Sequence, residues 1–180
     1  MTADNNCSSI ENHDEELLNA IEYGIEKKVA ILLLCKETNV NAVFNRVNDN
    51  GLTPLIRATR KGNSKIVRLL LDHSQIDVNK MNTQNRTALW FASSIGNAEL
   101  FRLLLHHYKV DVNKEDGQGI TPLHIASEKG RREVIKLLID DPNIDVNKYA
   151  PTCSFHKVKL NDMKRAILSS SKNPGRKLIC

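Results

Sequence analysis

Aromatic side chains are scarce in this chain of 180 residues, where they make up only 4%, with a single tryptophan. Leu, Ile, Val and Ala must therefore form the core, which suits short, closely packed helices better than a sandwich built around Trp and Tyr. Long apolar runs are also missing, because the longest, at residues 29–35, is far shorter than the roughly 20 residues of a spanning helix. The composition predicts one soluble domain.

Targeting and redox signals are equally absent. The first four residues contain neither a basic group nor an apolar segment, so they do not resemble a secretory signal. No Cys-x-x-Cys pair occurs, and free thiols are the expected state of the scattered cysteines Cys7, Cys35, Cys153 and Cys180. We therefore expect the protein in the cytoplasm, with the nucleus as an alternative.

The net charge of +5 is unevenly distributed along the chain. Residues 1–16 contain five acidic and no basic residues, whereas residues 148–180 contain eight basic residues and one acid, Asp162. The middle is nearly balanced, so only the basic C-terminal segment is an electrostatic candidate for binding nucleic acid or a membrane surface. We expect neither partner for the folded body.

A period of 34 residues separates Thr53, Thr87 and Thr121. Each threonine begins a similar string (53–58, 87–92 and 121–126), and a glycine follows nine residues after it. A leucine-rich block comes next (69–71, 103–105 and 137–139), and then Asp-Val-Asn-Lys (77–80, 111–114 and 145–148). Because four features recur in phase three times, the chain contains internal repeats.

The residue types predict two short helices in each copy. Thr53 can cap a first helix that Pro54 begins, and Gly62 can adopt the left-handed conformation that ends it. The following block places apolar residues on one stripe of a second helix. Such short helices are marginal alone, so they must stack on their neighbours, where each buried Leu or Ile contributes roughly 1.5–3 kcal/mol.

The Thr-Pro-Leu-His-x-Ala string at 121–126, together with the glycine and Asp-Val-Asn, resembles the ankyrin repeat. The resemblance covers residues 48–148 in three copies. It implies an all-α solenoid of stacked helix-turn-helix units with short β-hairpin-like finger turns. A degenerate copy in a frame shifted by 38 residues precedes them, with Ala20, Gly24 and Val40-Asn41 at matching positions. We predict that this copy caps the N-terminal end.

The repeats divide the chain into three parts. An acidic, disordered N-terminus is predicted over 1–14, and the repeat array over 15–149. We number its repeats 1 to 4: the degenerate cap repeat 15–47 and the full repeats 48–81, 82–115 and 116–149. The basic segment 150–180 either contains a capping helix at about 158–168 or is disordered.

Repeat 3 departs from the pattern of its neighbours. Asn85 replaces a turn glycine but tolerates the left-handed conformation, so the turn should survive, and Ala88 replaces proline. In the resembled family the histidine at position 124 bonds the turn that starts the helix. Ile56 and Trp90 occupy its place in repeats 2 and 3, which should be less rigid. We predict that Trp90 packs in the core, with a binding anchor as the alternative.

Catalytic and metal motifs are missing, so we expect no enzyme, no cofactor, no metal and no small-molecule substrate. Residues 111–117 resemble a calcium loop, but the glycine is one place late and Pro122 stands where a glutamate is required. His106 and His107 are adjacent on a helix and cannot readily share one metal. We interpret His124 as structural, as the resemblance implies, and not as a general base.

The resemblance places the binding surface on the finger turns and the first helices. Four apolar residues, Leu52, Met81, Ile95 and Ile120, are predicted to be exposed anchors. The predicted partner-binding residues are Asp49, Asn50, Leu52, Arg60, Lys61, Met81, Thr83, Gln84, Arg86, Ser94, Ile95, Glu115, Gln118, Ile120, Glu128 and Lys129.

The function that follows is a monomeric, non-catalytic adaptor or scaffold that binds another protein on a concave finger face. The alternative is a targeting or inhibitory fragment whose basic C-terminal segment binds nucleic acid or anionic lipid. The sequence does not identify the partner, because a fold alone does not imply a function.

Overall fold

The computed structural model describes residues 13–35, 38–42, 51–146 and 148. Within these ranges the chain forms eight α-helices, arranged in two rows. They are α1 His13–Glu22, α2 Glu26–Leu33, α3 Pro54–Lys61, α4 Ser64–Leu71, α5 Ala88–Ile95, α6 Ala98–Leu105, α7 Pro122–Glu128 and α8 Arg132–Asp140. None of these helices has the length and apolar character needed to cross a membrane.

The helices pair within repeats and stack between them. The first helices of the repeats, α1, α3, α5 and α7, pack on one another in chain order, and the second helices, α2, α4, α6 and α8, form a parallel second row. Each first helix also packs against the second helix of its own repeat. This two-row stack confirms the predicted all-α repeat solenoid.

The phased threonines begin the first helices of repeats 2 to 4. The hydroxyl oxygens of Thr53, Thr87 and Thr121 accept hydrogen bonds from the backbone N–H three residues later, over 3.2–3.3 Å. Pro54 occupies the first turn of α3, and Ala88 begins α5 without a proline. The backbone N–H groups in the first turn of a helix have no partner within the helix, and the threonine hydroxyl accepts one of them whether or not a proline follows. The predicted threonine caps are therefore confirmed.

Left-handed residues end the first helices and shape the finger turns. Gly62 and Gly96 follow α3 and α5 with φ angles of 71° and 84°. In the finger turns, Gly51 and Gly119 have φ angles of 68° and 77°, and Asn85 adopts 58° at the equivalent position. The prediction that asparagine preserves this turn is confirmed.

The second helices begin with a different cap. Asn63 and Asn97 accept hydrogen bonds from the backbone N–H of Ile66 and Leu100, each over 3.1 Å, at the start of α4 and α6. The N-cap residues of α2 and α8 are Ile25 and Arg131, and neither makes a side-chain cap hydrogen bond. The two end repeats therefore lack a stabilising contact that the two central repeats have.

One continuous apolar core runs through all four repeats. It extends from Leu17 in α1 to Ile144 beyond α8, and the leucine-rich blocks contribute the fully buried Leu70, Leu104 and Leu138. Burial of such side chains, at roughly 1.5–3 kcal/mol each, stabilises helices too short to persist alone. The predicted hydrophobic spine is confirmed over the described residues.

A ladder of asparagines joins successive repeats beside this core. In each case the side-chain oxygen accepts a backbone N–H of the next repeat over 2.8 Å, and the amide donates to a backbone carbonyl there over 2.7 Å. The bridges are Asn41 to Asp77 and Gln75, Asn79 to Asp111 and Lys109, and Asn113 to Asp145 and Asn143. The ladder gives the repeated Asp-Val-Asn motif a structural role.

Helix α1 includes two residues that were predicted to belong to the acidic N-terminus. His13 starts α1 and is buried, and the Asp14 carboxylate accepts the backbone N–H of Asn39 over 2.7 Å. The last two residues of the predicted acidic tail are therefore part of the fold. The predicted disorder of the other twelve and the predicted helix at 158–168 lie outside the described residues.

Candidate functional site

Two neighbouring positions near the end of each first helix are not used by the core. They hold Glu22 and Tyr23 in repeat 1, Arg60 and Lys61 in repeat 2, Ser94 and Ile95 in repeat 3, and Glu128 and Lys129 in repeat 4. These eight residues and the finger residues 82–86 and 116–120 are called the first-helix face. The six from repeats 2 to 4 were predicted from the sequence. Glu22 and Tyr23 were missed, although the 38-residue shift of repeat 1 points to them.

The apolar residues predicted as exposed anchors divide into two groups. Ile95 is 41% exposed, as predicted, but Leu52 and Ile120 are only 2% and 6% exposed. Leu52 belongs to the main core, and Ile120 packs with Trp90 and Ile125. The prediction of exposure is therefore wrong for Leu52 and Ile120, because these residues lie under the fingers and not at their tips.

Met81 is half-buried and lines a cavity of about 380 Å³. None of the described residues that line this cavity belongs to a first helix. The same cavity is lined by Glu115, whose carboxylate is 3.0 Å from the ammonium of Lys148. These two predicted contact residues therefore line a cavity together with Asn85 and Asp116 of the fingers and Asp111 and Asn113 of an Asp-Val-Asn motif. Asp49 and Asn50, also predicted, lie outside the described residues.

Trp90 anchors a small apolar cluster under the fingers. Its side chain is 7% exposed and packs with Phe91, Ile120 and Ile125. The Trp90 and Phe91 rings meet edge to face, with centroids 5.2 Å apart. The prediction that Trp90 packs in the core is confirmed, and its size compensates for the small number of aromatic residues elsewhere.

Arg86 connects the two described fingers. Its Nε is 3.1 Å from the Asp116 carboxylate, and its guanidinium lies over the Trp90 ring, 4.2 Å from the centroid. Arg86 also donates to Gln84 Oε1 over 3.0 Å. Since Asp116 is almost fully buried, this contact is a largely desolvated ion pair with a cation–π contact beside it. Arg86 therefore stabilises the structure of the first-helix face.

Backbone contacts also hold the fingers together. The side chains of Asn82 and Asp116 each accept two N–H groups of their own finger, and the Gly117 N–H donates to the Gln84 carbonyl of the neighbouring finger over 2.9 Å. A Cβ at Gly117 would lie 3.3 Å from that carbonyl oxygen. The exposed side chains of Thr83, Gln84 and Gln118 are thus carried on an ordered base.

An ionic cluster joins repeats 1 and 2 on the same face. The Glu22 carboxylate forms ion pairs with Arg57 and Lys61. The hydrogen bond from Lys61, assisted by Arg57 and opposed by burial, lowers the pKa of Glu22. A cavity of about 300 Å³ opens beside the cluster, lined by Glu22, Leu52, Arg57, Arg60 and Lys61.

Aromatic contacts connect this cluster to the fingers. The Arg60 guanidinium lies over the Phe91 ring, 5.7 Å from its centroid, and Phe91 contacts Trp90, which lies beneath Arg86. Cation–aromatic contacts therefore run across repeats 2 and 3. They fix two long cationic side chains whose exposed ends would otherwise be mobile.

His124 has the structural role that the sequence resemblance implies. Its backbone N–H donates to the Thr121 hydroxyl, and its Nδ1 accepts the Thr121 N–H over 3.2 Å, which closes a reciprocal cap at the start of α7. Among the described residues, no group of three His, Cys, Asp or Glu side chains is arranged to hold a metal ion.

Comparison with protein families agrees with this architecture. A family model described as ankyrin repeats (3 copies) matches residues 3–82 and 75–150. The two overlapping matches cover well over half of the chain and include all eight described helices.

Proposed function

Because the chain belongs to the ankyrin-repeat family, we propose that it is a non-catalytic adaptor or scaffold that binds another protein through its first-helix face. Ankyrin repeats generally act as protein–protein interaction modules, and the family is typically non-enzymatic. The family therefore supports the class of function, and the exposed side chains support the location of the binding surface.

The observation that supports this location most strongly is a row of side chains at one equivalent position. Tyr23, Lys61, Ile95 and Lys129 are all exposed, and each belongs to a different repeat. Tyr23 is 78% exposed and Ile95 is 41% exposed, although no packing reason requires large apolar groups there. Interfaces favour such anchors within a polar rim, so a partner lying across the stack would meet one of these groups in every repeat.

The order of the fingers also supports binding at this face. Two contacts hold the fingers of repeats 3 and 4 in register. They are the ion pair of Arg86 with Asp116 and the hydrogen bond from the Gly117 N–H to the Gln84 carbonyl. A surface that is ordered before binding loses less conformational entropy in the complex. The polar fingertip residues can then contribute to affinity without first being immobilised.

Affinity capture with two matched triple variants tests the proposal. The first variant changes three exposed residues of the first-helix face: Ile95→Ala, Gln118→Ala and Lys129→Ala. The control makes the same three changes away from that face: Ile31→Ala, Gln75→Ala and Lys136→Ala. All six residues are exposed, so both proteins should fold.

We expect proteins captured by the wild type to be retained by the control and lost with the face variant. Loss of the anchors should weaken binding by about tenfold or more, which corresponds to about 1.4 kcal/mol. Circular dichroism should show equal helix content in both variants. Equal capture by the two variants, or a loss confined to the control, would exclude the first-helix face as the binding surface.

A further inference from the structure

The cavity between repeats 1 and 2 has an unbalanced lining. Among the described residues of its lining, three side chains are basic, Arg57, Arg60 and Lys61, and one is acidic, Glu22. Its volume of about 300 Å³ equals roughly ten water molecules at about 30 Å³ each. The cavity is therefore large enough for a side-chain anion with part of its hydration shell, and its charge favours one.

The carboxylate of Glu22 is already engaged on both of its oxygens. Arg57 contacts Oε2 of Glu22, and Lys61 contacts Oε1. Arg57 is only 8% exposed, so Glu22 and the surrounding repeat hold its position. Glu22 consequently fixes two of the three cations, Arg57 and Lys61, at the wall of the cavity.

Arg60 supplies the remaining charge. Its exposed guanidinium is stacked on Phe91 and, within the part of the chain that the structure describes, forms no ion pair with a carboxylate. A cation–π contact with one ring leaves N–H groups of a guanidinium available for other partners. Those groups match the two oxygens of a carboxylate, with which arginine forms bidentate hydrogen bonds.

The rest of the face adds apolar anchors and little competing negative charge. Tyr23 lies next to Glu22 in sequence, and Ile95 holds the position in repeat 3 that Lys61 holds in repeat 2. Elsewhere on the face, Glu128 pairs with Lys129 and Asp116 pairs with Arg86. An incoming acidic segment would thus meet the exposed guanidinium of Arg60 at the cavity and apolar contacts on either side.

From these contacts we infer that the cavity binds a side-chain carboxylate from an acidic segment of the partner protein that also carries apolar residues. Arg60 is the principal ligand, and Arg57 and Lys61 support it. This inference rests on the proposed function and specifies the chemistry of the partner.

Peptide selection on the full-length protein tests the inference. The probe is a phage-displayed library of short random-sequence peptides, selected in parallel on the wild type, Arg60→Glu, Arg60→Gln and Arg102→Glu. Arg102 is an exposed residue of α6, in the second row of helices. Arg102→Glu changes the net charge as much as Arg60→Glu does, so it controls for a general attraction between the protein and acidic peptides.

We expect peptides selected on the wild type and on Arg102→Glu to be enriched in Asp and Glu. The enrichment should fall on Arg60→Gln and disappear on Arg60→Glu. For the best peptide, fluorescence anisotropy should show about tenfold weaker binding to Arg60→Gln and a larger loss for Arg60→Glu. Replacing the Glu residues of the peptide with Gln should weaken binding to the wild type to a similar extent.

Three results would overturn the inference: wild-type peptides without acidic enrichment, unchanged enrichment on Arg60→Glu, or an equal loss on Arg102→Glu. Equal thermal melting of the four proteins excludes unfolding as the cause. A captured partner that is lost with the alanine face variant but binds Arg60→Glu unchanged would refute this inference and leave the proposed function intact.

Discussion

At the scale of single residues, one position under the fingers is occupied by a different residue in each of repeats 2 to 4. Leu52, Arg86 and Ile120 are equivalent in the 34-residue frame, and two of the three are apolar. The position is therefore a core position, and Arg86 adapts to it by stacking on Trp90 and pairing with Asp116. The equivalence of these positions in the repeat frame therefore indicates burial of Leu52 and Ile120, whereas their place in a turn favoured exposed anchors.

The Arg86–Asp116 pair yields a test by exchange between repeats. The equivalent pair one repeat earlier is Leu52 and Asn82. Asp116→Asn keeps an acceptor for the finger N–H groups but leaves Arg86 without its carboxylate, so the free energy of unfolding should fall by about 1–3 kcal/mol. Adding Arg86→Leu, which copies the earlier pair, should restore part of the loss.

Urea denaturation of the two single variants and the double variant measures this coupling. A double variant less stable than Asp116→Asn alone, with strictly additive losses, would show that the ion pair does not couple the fingers.

A histidine in the turn after α6 makes stability depend on pH. The Nδ1 of His107 accepts the Lys109 N–H over 3.3 Å, as the Asp141 carboxylate accepts the Asn143 N–H in repeat 4. Burial, and then the charge of Lys109, lower the pKa of His107 below its usual 6.5. The unfolded chain therefore takes up this proton first, and stability is lost as the pH falls from 6.5 through the folded-state pKa.

The His107→Asn variant keeps an acceptor in this turn but cannot titrate. Between about pH 7.5 and about pH 5, its free energy of unfolding should fall less steeply than that of the wild type. Chemical denaturation at several pH values compares the two slopes. Identical slopes would mean that His107 does not contribute to the acid sensitivity.

At the scale of helices, the sequence predicts most of the fold because each boundary has a local chemical cause. Thr53, Thr87 and Thr121 cap the helices they were predicted to cap, and Asn85 makes the left-handed turn. The start of α1 could not be located in this way, because repeat 1 has no capping threonine. Among the described residues, His13 and Asp14 belong to this helix, and His13 is buried.

The asparagine caps of the second helices predict opposite effects at two equivalent positions. Asn97→Ala removes the cap of α6 and should lower the free energy of unfolding by about 1 kcal/mol. Ile25 stands uncapped at the start of α2 with similar backbone angles, so Ile25→Asn should raise stability by about 0.5–1 kcal/mol. Thermal and urea denaturation measure both changes. Equal effects of the two substitutions would contradict a capping role.

At the scale of the whole molecule, the repeat period predicts the spine but only part of the proposed binding face. Core positions recur because every repeat must bury the same stripe, which is why Leu70, Leu104 and Leu138 are equivalent and fully buried. Exposed positions such as Lys61 and Ile95 are under no such constraint. Their location follows from the frame, whereas the identity of the partner depends on side chains that the fold leaves variable.

Site-specific photo-cross-linking tests most directly whether the first-helix face binds protein. A benzophenone amino acid is placed at Ile95 on that face or at Ile31 on α2, both exposed positions in the wild type. We predict that the Ile95 probe cross-links a partner in cells and that the Ile31 probe does not. Cross-linking of the same partner from Ile31, with none from Ile95, would place the binding surface on the opposite row of helices and contradict the proposed function.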